Sequence, residues 1–202
     1  MTSKATVFVV DDDAAVRDSL ALLLQSVGLS AESYASADEF LQAFEPERPG
    51  CLVLDVRMPG MSGLELQEEL AARHCLVPII FLTAHGDVPM AVEAVKSGAV
   101  EFVQKPFRDQ DLLDKIQHAL ADDARNRAVL EDRERIASRV KSLTPREHEV
   151  MEMVVDGKAN KVIASECGIS QRTVEIHRGR VMKKMQAESV SELVQMVLQV
   201  RG

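Results

Sequence analysis

Carboxylate, hydroxyl and ammonium side chains stand at the ends of β-rich segments in the first half of the chain. Asp11 and Asp12 end one such run, Asp55 ends another, and Thr83 and Lys105 end or follow two more. Neighbouring carboxylates repel each other, and they commonly share a hard divalent cation such as Mg²⁺. The cation neutralises charge and leaves one carboxylate able to attack phosphorus. These residue types therefore indicate phosphoryl transfer to a side chain of the protein.

Each acidic residue fits one requirement of that chemistry. Asp55 is the predicted nucleophile, because it alone ends a central strand that faces the other groups. Asp12 is the predicted direct Mg²⁺ ligand, with Asp11 binding directly or through water, and Mn²⁺ or Ca²⁺ as substitutes. The backbone carbonyl of Arg57 is expected to complete the protein ligands. Lys105 supplies positive charge and Thr83 a hydroxyl donor to the phosphoryl oxygens.

Two simpler or competing interpretations apply to the acidic cluster. The run from Asp11 to Asp13 could merely cap the helix that follows, since Asp is common at helix N-termini. A phosphatase of the haloacid dehalogenase type would also use an Asp nucleophile with Mg²⁺ on a parallel sheet. Those enzymes place Thr or Val soon after their Asp-x-Asp pair, whereas Ala14 and Ala15 follow here. The combination with residues at the other strand ends favours the phosphoacceptor site.

The elements that must position these residues form an α/β pattern. Five β-rich runs, each followed by a longer helical stretch, predict a doubly wound, five-stranded parallel sheet in the order 2-1-3-4-5. The second run is the most polar and suits an edge strand. Ligands of such sheets bind at the carboxyl ends of the strands, so the polar residues should meet at one edge. The predicted strands are 5–10, 30–35, 51–55, 78–83 and 101–104.

Charge is distributed unevenly along the 202 residues, whose net charge is −8. Residues 1–107 carry 7 Lys and Arg against 16 Asp and Glu, whereas residues 142–202 carry 9 against 8. The acidity therefore belongs to the first half and does not exclude nucleic-acid binding by the second. The chain has no signal-peptide pattern and no apolar run of roughly 20 residues, so a soluble, cytoplasmic protein without a membrane partner is expected. Three widely spaced cysteines favour buried, reduced thiols.

A long charged segment separates the two halves. Residues 108–141 contain neither Gly nor Pro and alternate charges of both signs, which favours an exposed helix over a flexible coil. We expect one domain at 1–121, a helical linker at 122–141 and an all-helical domain at 142–202.

The last segment is predicted to contain a helix-turn-helix. Thr144 and Glu147 fit a capping box at its first helix. A helix at about 160–166, a turn at Gly168 and a helix at 171–185 complete the motif.

The second helix of that motif has two faces. Ile176 and Gly179 point outward on a basic helix, which suits close approach to base edges, with Ile176 against a thymine methyl and Glu175 accepting from cytosine. A merely solvated basic face is the simpler alternative. The predicted packed face consists of Val174, His177, Val181 and Met185. The predicted phosphate contacts are Arg172, Thr173, Arg178, Arg180, Lys183 and Lys184.

The runs VVDDD, LDVRMPGMSGLEL, TAHGDVPMAVEAVKSGA and EFVQKPF resemble the CheY-like receiver domain of two-component response regulators over residues 5–120. The resemblance implies that a sensor histidine kinase phosphorylates Asp55 and that the acidic pair binds Mg²⁺. It also implies that Phe102 is an aromatic switch that turns inward when Thr83 moves, and that the Lys105-Pro106 bond is cis. A helix at 87–98 is expected to change shape with this switch.

The run LTPREHEVMEMVVDGKANKVIASECGISQRTVEIHRGRVMKKM resembles the LuxR-type effector domain of NarL/FixJ regulators. The resemblance implies binding to promoter DNA as a homodimer on phosphorylation, with RNA polymerase as a further partner and activation of transcription as the result. It implies a transcription factor, whose only chemistry is assisting its own phosphorylation and slow dephosphorylation. A receiver that acts only through other proteins is the alternative. A final helix at 191–200 is expected to pair two copies, although core packing could account for some of Leu193, Val194, Met196, Val197 and Val200.

Overall fold

The structure is a computed structural model that describes residues 5–84 and 101–201. The chain divides into two compact units, Met1–Arg127 and Ala128–Gly202. The elements are labelled below in chain order within the described residues.

The first unit contains a five-stranded parallel sheet in the order β2-β1-β3-β4-β5. The predicted fold class and strand order are thus confirmed. Most of β2 is partly exposed, as expected for an edge, whereas β1, β3 and β4 are buried throughout. The strands are β1 (Thr6–Val10), β2 (Ser30–Tyr34), β3 (Gly50–Asp55), β4 (Ile79–Thr83) and β5 (Glu101–Gln104).

Helices cover both faces of this sheet. Each of the first three begins at a side chain that accepts a hydrogen bond from a backbone N–H of the first turn: Asp13, Ser36 and Ser62. Alternate strand residues enter opposite cores, because side chains alternate across a strand. Phe8, Leu54 and Phe81 lie in one core, and Val9, Val53 and Leu82 lie in the other. The helices are α1 (Ala14–Ser26), α2 (Ala37–Ala43), α3 (Gly63–Ala72) and the start of α4 (Asp109–Lys141).

Helix α4 runs for 33 residues, so the flexible-coil alternative is wrong. It remains part of the first unit beyond the expected boundary at residue 121. Asp123 is 3% exposed and accepts a hydrogen bond from the Gly50 N–H at 2.9 Å. Arg127 donates to both carboxylate oxygens of Asp123 at 2.9 Å and to the carbonyls of Pro46, Glu47 and Arg48. These bonds attach residues 122–127 to the first unit.

The remainder of α4 belongs to the second unit. Ile136 is buried in the core of that unit, and Val140 packs against the same core. The segment expected as a linker at 122–141 is therefore shared between the two units. The other helices are α5 (Pro145–Val155), α6 (Asn160–Cys167), α7 (Gln171–Met185) and α8 (Val190–Arg201).

The capping box predicted at the start of α5 is present. Thr144 accepts from the Glu147 N–H, and the Glu147 carboxylate accepts from the Thr144 N–H. Lys184 of α7 also donates to Glu147 at 2.6 Å, although the Glu147 side chain is buried. The hydrogen bond from Lys184 and the backbone bond from Thr144 lower the pKa of Glu147 to about 2. One carboxylate thus joins two helices of the second unit.

Glu147→Gln should lower the free energy of unfolding of the second unit at pH 7 by about 1.5–3 kcal/mol, the range for hydrogen bonds to charged groups. Because the pKa of Glu147 is depressed on folding, its contribution is full above its ordinary value of 4.5 and is lost as the pH falls toward about 2. The deficit should therefore shrink as the pH falls from about 4.5 to about 2. Urea unfolding followed by the amide NMR signals of α5 to α7 measures it. Glu149→Gln, on the same helix but in a partly exposed pair with Arg146, should cost much less.

Candidate functional site

Two carboxylates meet an ammonium at the carboxyl edge of the sheet. Lys105 Nζ lies 2.7 Å from Asp11 Oδ2 and 3.0 Å from Asp55 Oδ1. Asp11 directly follows β1 and Asp55 ends β3, and these strands are neighbours. Lys105 follows β5, and its N–H donates to the Thr83 carbonyl at 2.7 Å. The Lys105-Pro106 bond is cis, as expected. The sheet thus brings Asp11, Asp55, Thr83 and Lys105 to one edge.

The electrostatics of this cluster depend on Lys105. Burial of Lys105 opposes its charged form, but the hydrogen bonds and charges of Asp11 and Asp55 outweigh that effect, so the pKa of Lys105 is raised above its usual value. Asp11 is 2% exposed and Asp55 is 9% exposed. Two acidic groups so far from water need a nearby positive charge, and the ammonium provides it.

The three consecutive acidic residues have different surroundings. Asp13 caps α1, since its Oδ1 accepts from the Ala15 N–H at 2.8 Å. Asp11 does not cap the helix, and its Oδ2 points to Lys105. Asp12 is exposed. The capping interpretation is therefore correct for Asp13, whereas Asp11 belongs to the acidic site.

Asp55 is held by the loop and helix that follow it. Its Oδ2 accepts from the Arg57 N–H at 2.8 Å. Helix α3 begins at Gly63 directly beside it: a Cβ on Gly63 would lie 2.3 Å from the Asp55 carbonyl oxygen, closer than real Cβ contacts. Only a glycine therefore fits where α3 begins.

Thr83 and Phe102 stand on neighbouring strands. Thr83 ends β4 and is 2% exposed. Phe102 of β5 is half-buried against one sheet core, with its ring centroid 6.2 Å from that of Phe81. The helix expected at 87–98 lies outside the described residues.

The donor set fits a hard divalent cation in part. Asp11 and Asp55 direct oxygens to one point, now held by the Lys105 ammonium, and oxygen ligands are those that Mg²⁺ prefers. Within residues 5–84 and 101–201, no three Asp, Glu, His or Cys side chains form a group that could hold a metal ion. A metal site there would be formed by carboxylates of this acidic cluster, a backbone carbonyl and waters.

Arg17 is a residue of this edge that the sequence pattern did not identify. Its Nη1 donates to the Asp11 carbonyl at 2.7 Å, and its side chain is partly buried. Arg17 lies on α1, six residues after Asp11, and this spacing gave no distinctive signal. The bond fixes the backbone that carries Asp11.

The outward face of α7 agrees with the predicted division of that helix. Ile176 is 50% exposed, and a Cβ on Gly179 would meet nothing within 4 Å. Val174, Val181 and Met185 are buried, whereas His177 of the predicted packed face is only partly buried. The exposed polar residues on α7 are Gln171, Arg172, Glu175, Arg180 and Lys183.

Two of the predicted phosphate contacts are engaged within the unit. Lys184 donates to Glu147 and to the Ser142 carbonyl, the latter at 3.1 Å. Arg178 Nη1 donates to Asn160 Oδ1 at 2.7 Å. Both side chains are partly buried, unlike Arg180 and Lys183. Sequence spacing alone could not distinguish Arg178 and Lys184 from the two exposed cations, because all four are basic residues of the same helix.

Most residues expected to pair two copies through α8 lie in the core of one copy. Leu193 and Val197 are buried, and Met196 and Val200 pack against the same core. The alternative of packing within one copy is therefore correct for these four. An apolar stripe lies elsewhere on α8, where Val190 and Leu198 are exposed and Val194 between them is partly exposed.

The chain matches two family profiles. The response regulator receiver domain matches residues 7–117, and the luxR family of bacterial regulatory proteins matches residues 141–197. Receiver domains generally bind Mg²⁺ at their phosphorylation site and imply a cognate kinase, and a LuxR-type domain implies DNA binding. None of the helices in the described part of the chain has the length and apolar character needed to span a bilayer.

Full-length relatives agree with this assignment. The chain is 49% identical to Nodulation protein W of Bradyrhizobium diazoefficiens, over 96% of this chain and 86% of that protein. It is 48% identical to the transcriptional regulatory protein FixJ of the same organism, over 98% and 97%. The solved structure of the response regulator StyR has a TM-score of 0.90 at 48% identity and covers 98% of this chain and 100% of that one. The chain therefore belongs to the two-component response regulators, with a receiver domain and a LuxR-type DNA-binding domain.

Proposed function

We propose that Asp55 accepts a phosphoryl group from a sensor histidine kinase and that the phosphorylated chain binds promoter DNA. The observation that carries the first part is the convergence of Asp11 and Asp55 on the ammonium of Lys105 at 2.7 and 3.0 Å. A site of this kind supplies a nucleophilic carboxylate, positive charge and a second acid in one place. Those are the parts that phosphoryl transfer requires.

The proposed transfer forms a bond from an Asp55 carboxylate oxygen to phosphorus while the bond from phosphorus to the kinase histidine nitrogen breaks. Asp11, Asp12, Asp55 and the Arg57 backbone carbonyl would hold Mg²⁺, which would supply positive charge to neutralise the phosphoryl oxygens. Lys105 keeps its positive charge at the site, and its ammonium can move to contact the new phosphoryl oxygens. The Arg57 N–H orients the acceptor carboxylate before attack, since it already binds Asp55 Oδ2 at 2.8 Å.

The proposed switch begins at Thr83. A phosphoryl group on Asp55 attracts the Thr83 hydroxyl, and Phe102 turns toward the space that Thr83 leaves. The half-buried position of Phe102, on the strand next to Thr83, supports this step. The altered receiver surface then favours dimerisation and DNA binding.

The residues of α7 expected to contact DNA fall into two groups, those that are exposed and those that are engaged within the unit. Ile176, Glu175 and Gly179 approach base edges, because they are exposed and Gly179 leaves open space. The exposed cations Arg172, Arg180 and Lys183, with Thr173, contact phosphates. Arg178 and Lys184, also expected at phosphates, are engaged within the unit, and we give them a positioning role.

The proposed functional form on DNA is a homodimer that recruits RNA polymerase and activates transcription. The second unit is nearly neutral, so two copies double the phosphate contacts available to it. Val190 is 40% exposed and Leu198 is 56% exposed. They lie four residues before and four residues after Val194, and so on the same side of the helix. This stripe, rather than the buried residues of α8, is the proposed pairing face.

Asp55→Asn should abolish incorporation of a phosphoryl group from acetyl phosphate in the presence of Mg²⁺, because the amide is not a nucleophile. Intact-mass spectrometry measures incorporation, and gel shift on genomic fragments measures the accompanying rise in DNA affinity. Asp13→Asn, which alters only the α1 cap, should retain both. Equal incorporation or equal phosphodonor-stimulated binding in wild type and Asp55→Asn would contradict the assignment.

Lys183→Met should reduce the slope of log binding constant against log salt concentration by about 0.9 for each DNA-bound copy, because one phosphate contact is lost. Lys184→Met should leave that slope unchanged and instead lower the urea midpoint of the second unit, because Glu147 loses its partner. Fluorescence anisotropy with one DNA fragment over a range of salt concentrations separates the two. A reduced slope in Lys184→Met would assign that residue to phosphate.

Leu198→Asp should weaken dimer formation by the phosphodonor-treated chain about tenfold or more, since a charge enters an apolar contact. Sedimentation velocity measures the change. Leu76→Asp, at a position 61% exposed in the first unit, is the matched control and should not affect pairing. Unchanged pairing in Leu198→Asp would exclude the α8 stripe.

A further inference from the structure

The end of α4 is tied to the end of α7 by bonds in both directions. Arg139 Nη1 donates to the Met185 carbonyl at 3.0 Å, and its Nη2 donates to Gln186 Oε1 at 2.6 Å. Lys184 Nζ donates in return to the carbonyl of Ser142, the residue after α4, at 3.1 Å. We call these residues, Arg139, Ser142, Lys184 and Gln186, the clasp.

The clasp forms at a place where α7 needs hydrogen-bond donors. Met185 is the last residue of α7, and carbonyls of the last turn have no partner within their helix. Gln186 follows with a φ of 55°, so the chain turns away there. A guanidinium at this end also interacts favourably with the helix dipole.

Buried side chains hold both of the helices that the clasp joins, α4 and α7. Met185 is fully buried in the core of the second unit, and Ile136, one turn before Arg139 on α4, is buried in the same core. The clasp therefore joins two well-packed helix segments, and its bonds restrain the direction of α7.

We propose that Arg139 is a positioning residue for DNA binding, which sets the direction of α7 from its C-terminal end. This inference rests on the proposed function of α7. A 15-residue helix is about 22 Å long, so a tilt of about 5° at Met185 moves the other end by about 2 Å. A displacement of that size breaks hydrogen bonds to bases.

The test uses Arg139→Met in the full chain, which keeps most of the side chain and removes its donors. DNA affinity of the phosphodonor-treated protein should fall about tenfold, with the salt slope unchanged because no phosphate contact is lost. Amide exchange should quicken locally at Gln186 and Ala187, whose N–H groups bond to carbonyls of the last turn of α7. Gln186→Gly, which suits the positive φ and removes one acceptor, should show a smaller loss of about threefold.

Lys141→Met is the matched control, since Lys141 is an exposed cation at the end of the same helix. It should change neither affinity nor exchange. A salt slope reduced by about 0.9 per copy in Arg139→Met would make Arg139 a direct phosphate contact and overturn the proposal. Faster exchange throughout α5, α6 and α7 would overturn it in favour of a general stability role. Wild-type protein that binds no DNA contradicts the proposed function, whereas wild-type binding with undiminished Arg139→Met binding contradicts the clasp alone.

Discussion

Two carboxylates that end neighbouring strands repel each other, and the ammonium of Lys105 makes their proximity possible. Asp11 and Asp55 are both buried, so water screens their charges poorly. The parallel register places them together, and the bend after β5 brings Lys105 over them. The rest of the receiver edge is built around this arrangement. Gly63 lets α3 start against Asp55, and Arg17 holds the backbone of Asp11.

The same arrangement explains how a chemical change at one residue can have structural effects. Lys105 binds the Asp55 side chain through its ammonium and the Thr83 carbonyl through its backbone N–H. A modification that changes the charge of Asp55 therefore acts on two strands at once. Phe102 lies on β5 opposite Phe81 of β4 and is only half-buried.

Much of the fold and part of the site could be predicted from local patterns. Five β-rich runs, each followed by a helical stretch, identified the strands, and Thr144 with Glu147 identified the start of α5. The role of the consecutive acids could not be assigned in the same way. Asp11 and Asp13 are two residues apart and chemically identical, yet Asp13 caps α1 and Asp11 binds Lys105. That difference depends on where a lysine 94 residues away is placed.

The sequence by itself determined the fold class, the residue types at the strand ends and the helix-turn-helix, because these follow from periodicity and from caps between near neighbours in the chain. Only the tertiary structure decided which charged side chains are engaged within the fold and which stay exposed. The hydrogen bonds that depend on packing join distant segments of the chain: Gly50 with Asp123, Arg127 with Arg48, Glu147 with Lys184, and Arg139 with Met185. A charged side chain on a helix looks the same in sequence whether its partner is water, phosphate or a carbonyl. The packing of the helices selects the partner, because it fixes which groups lie within hydrogen-bond distance.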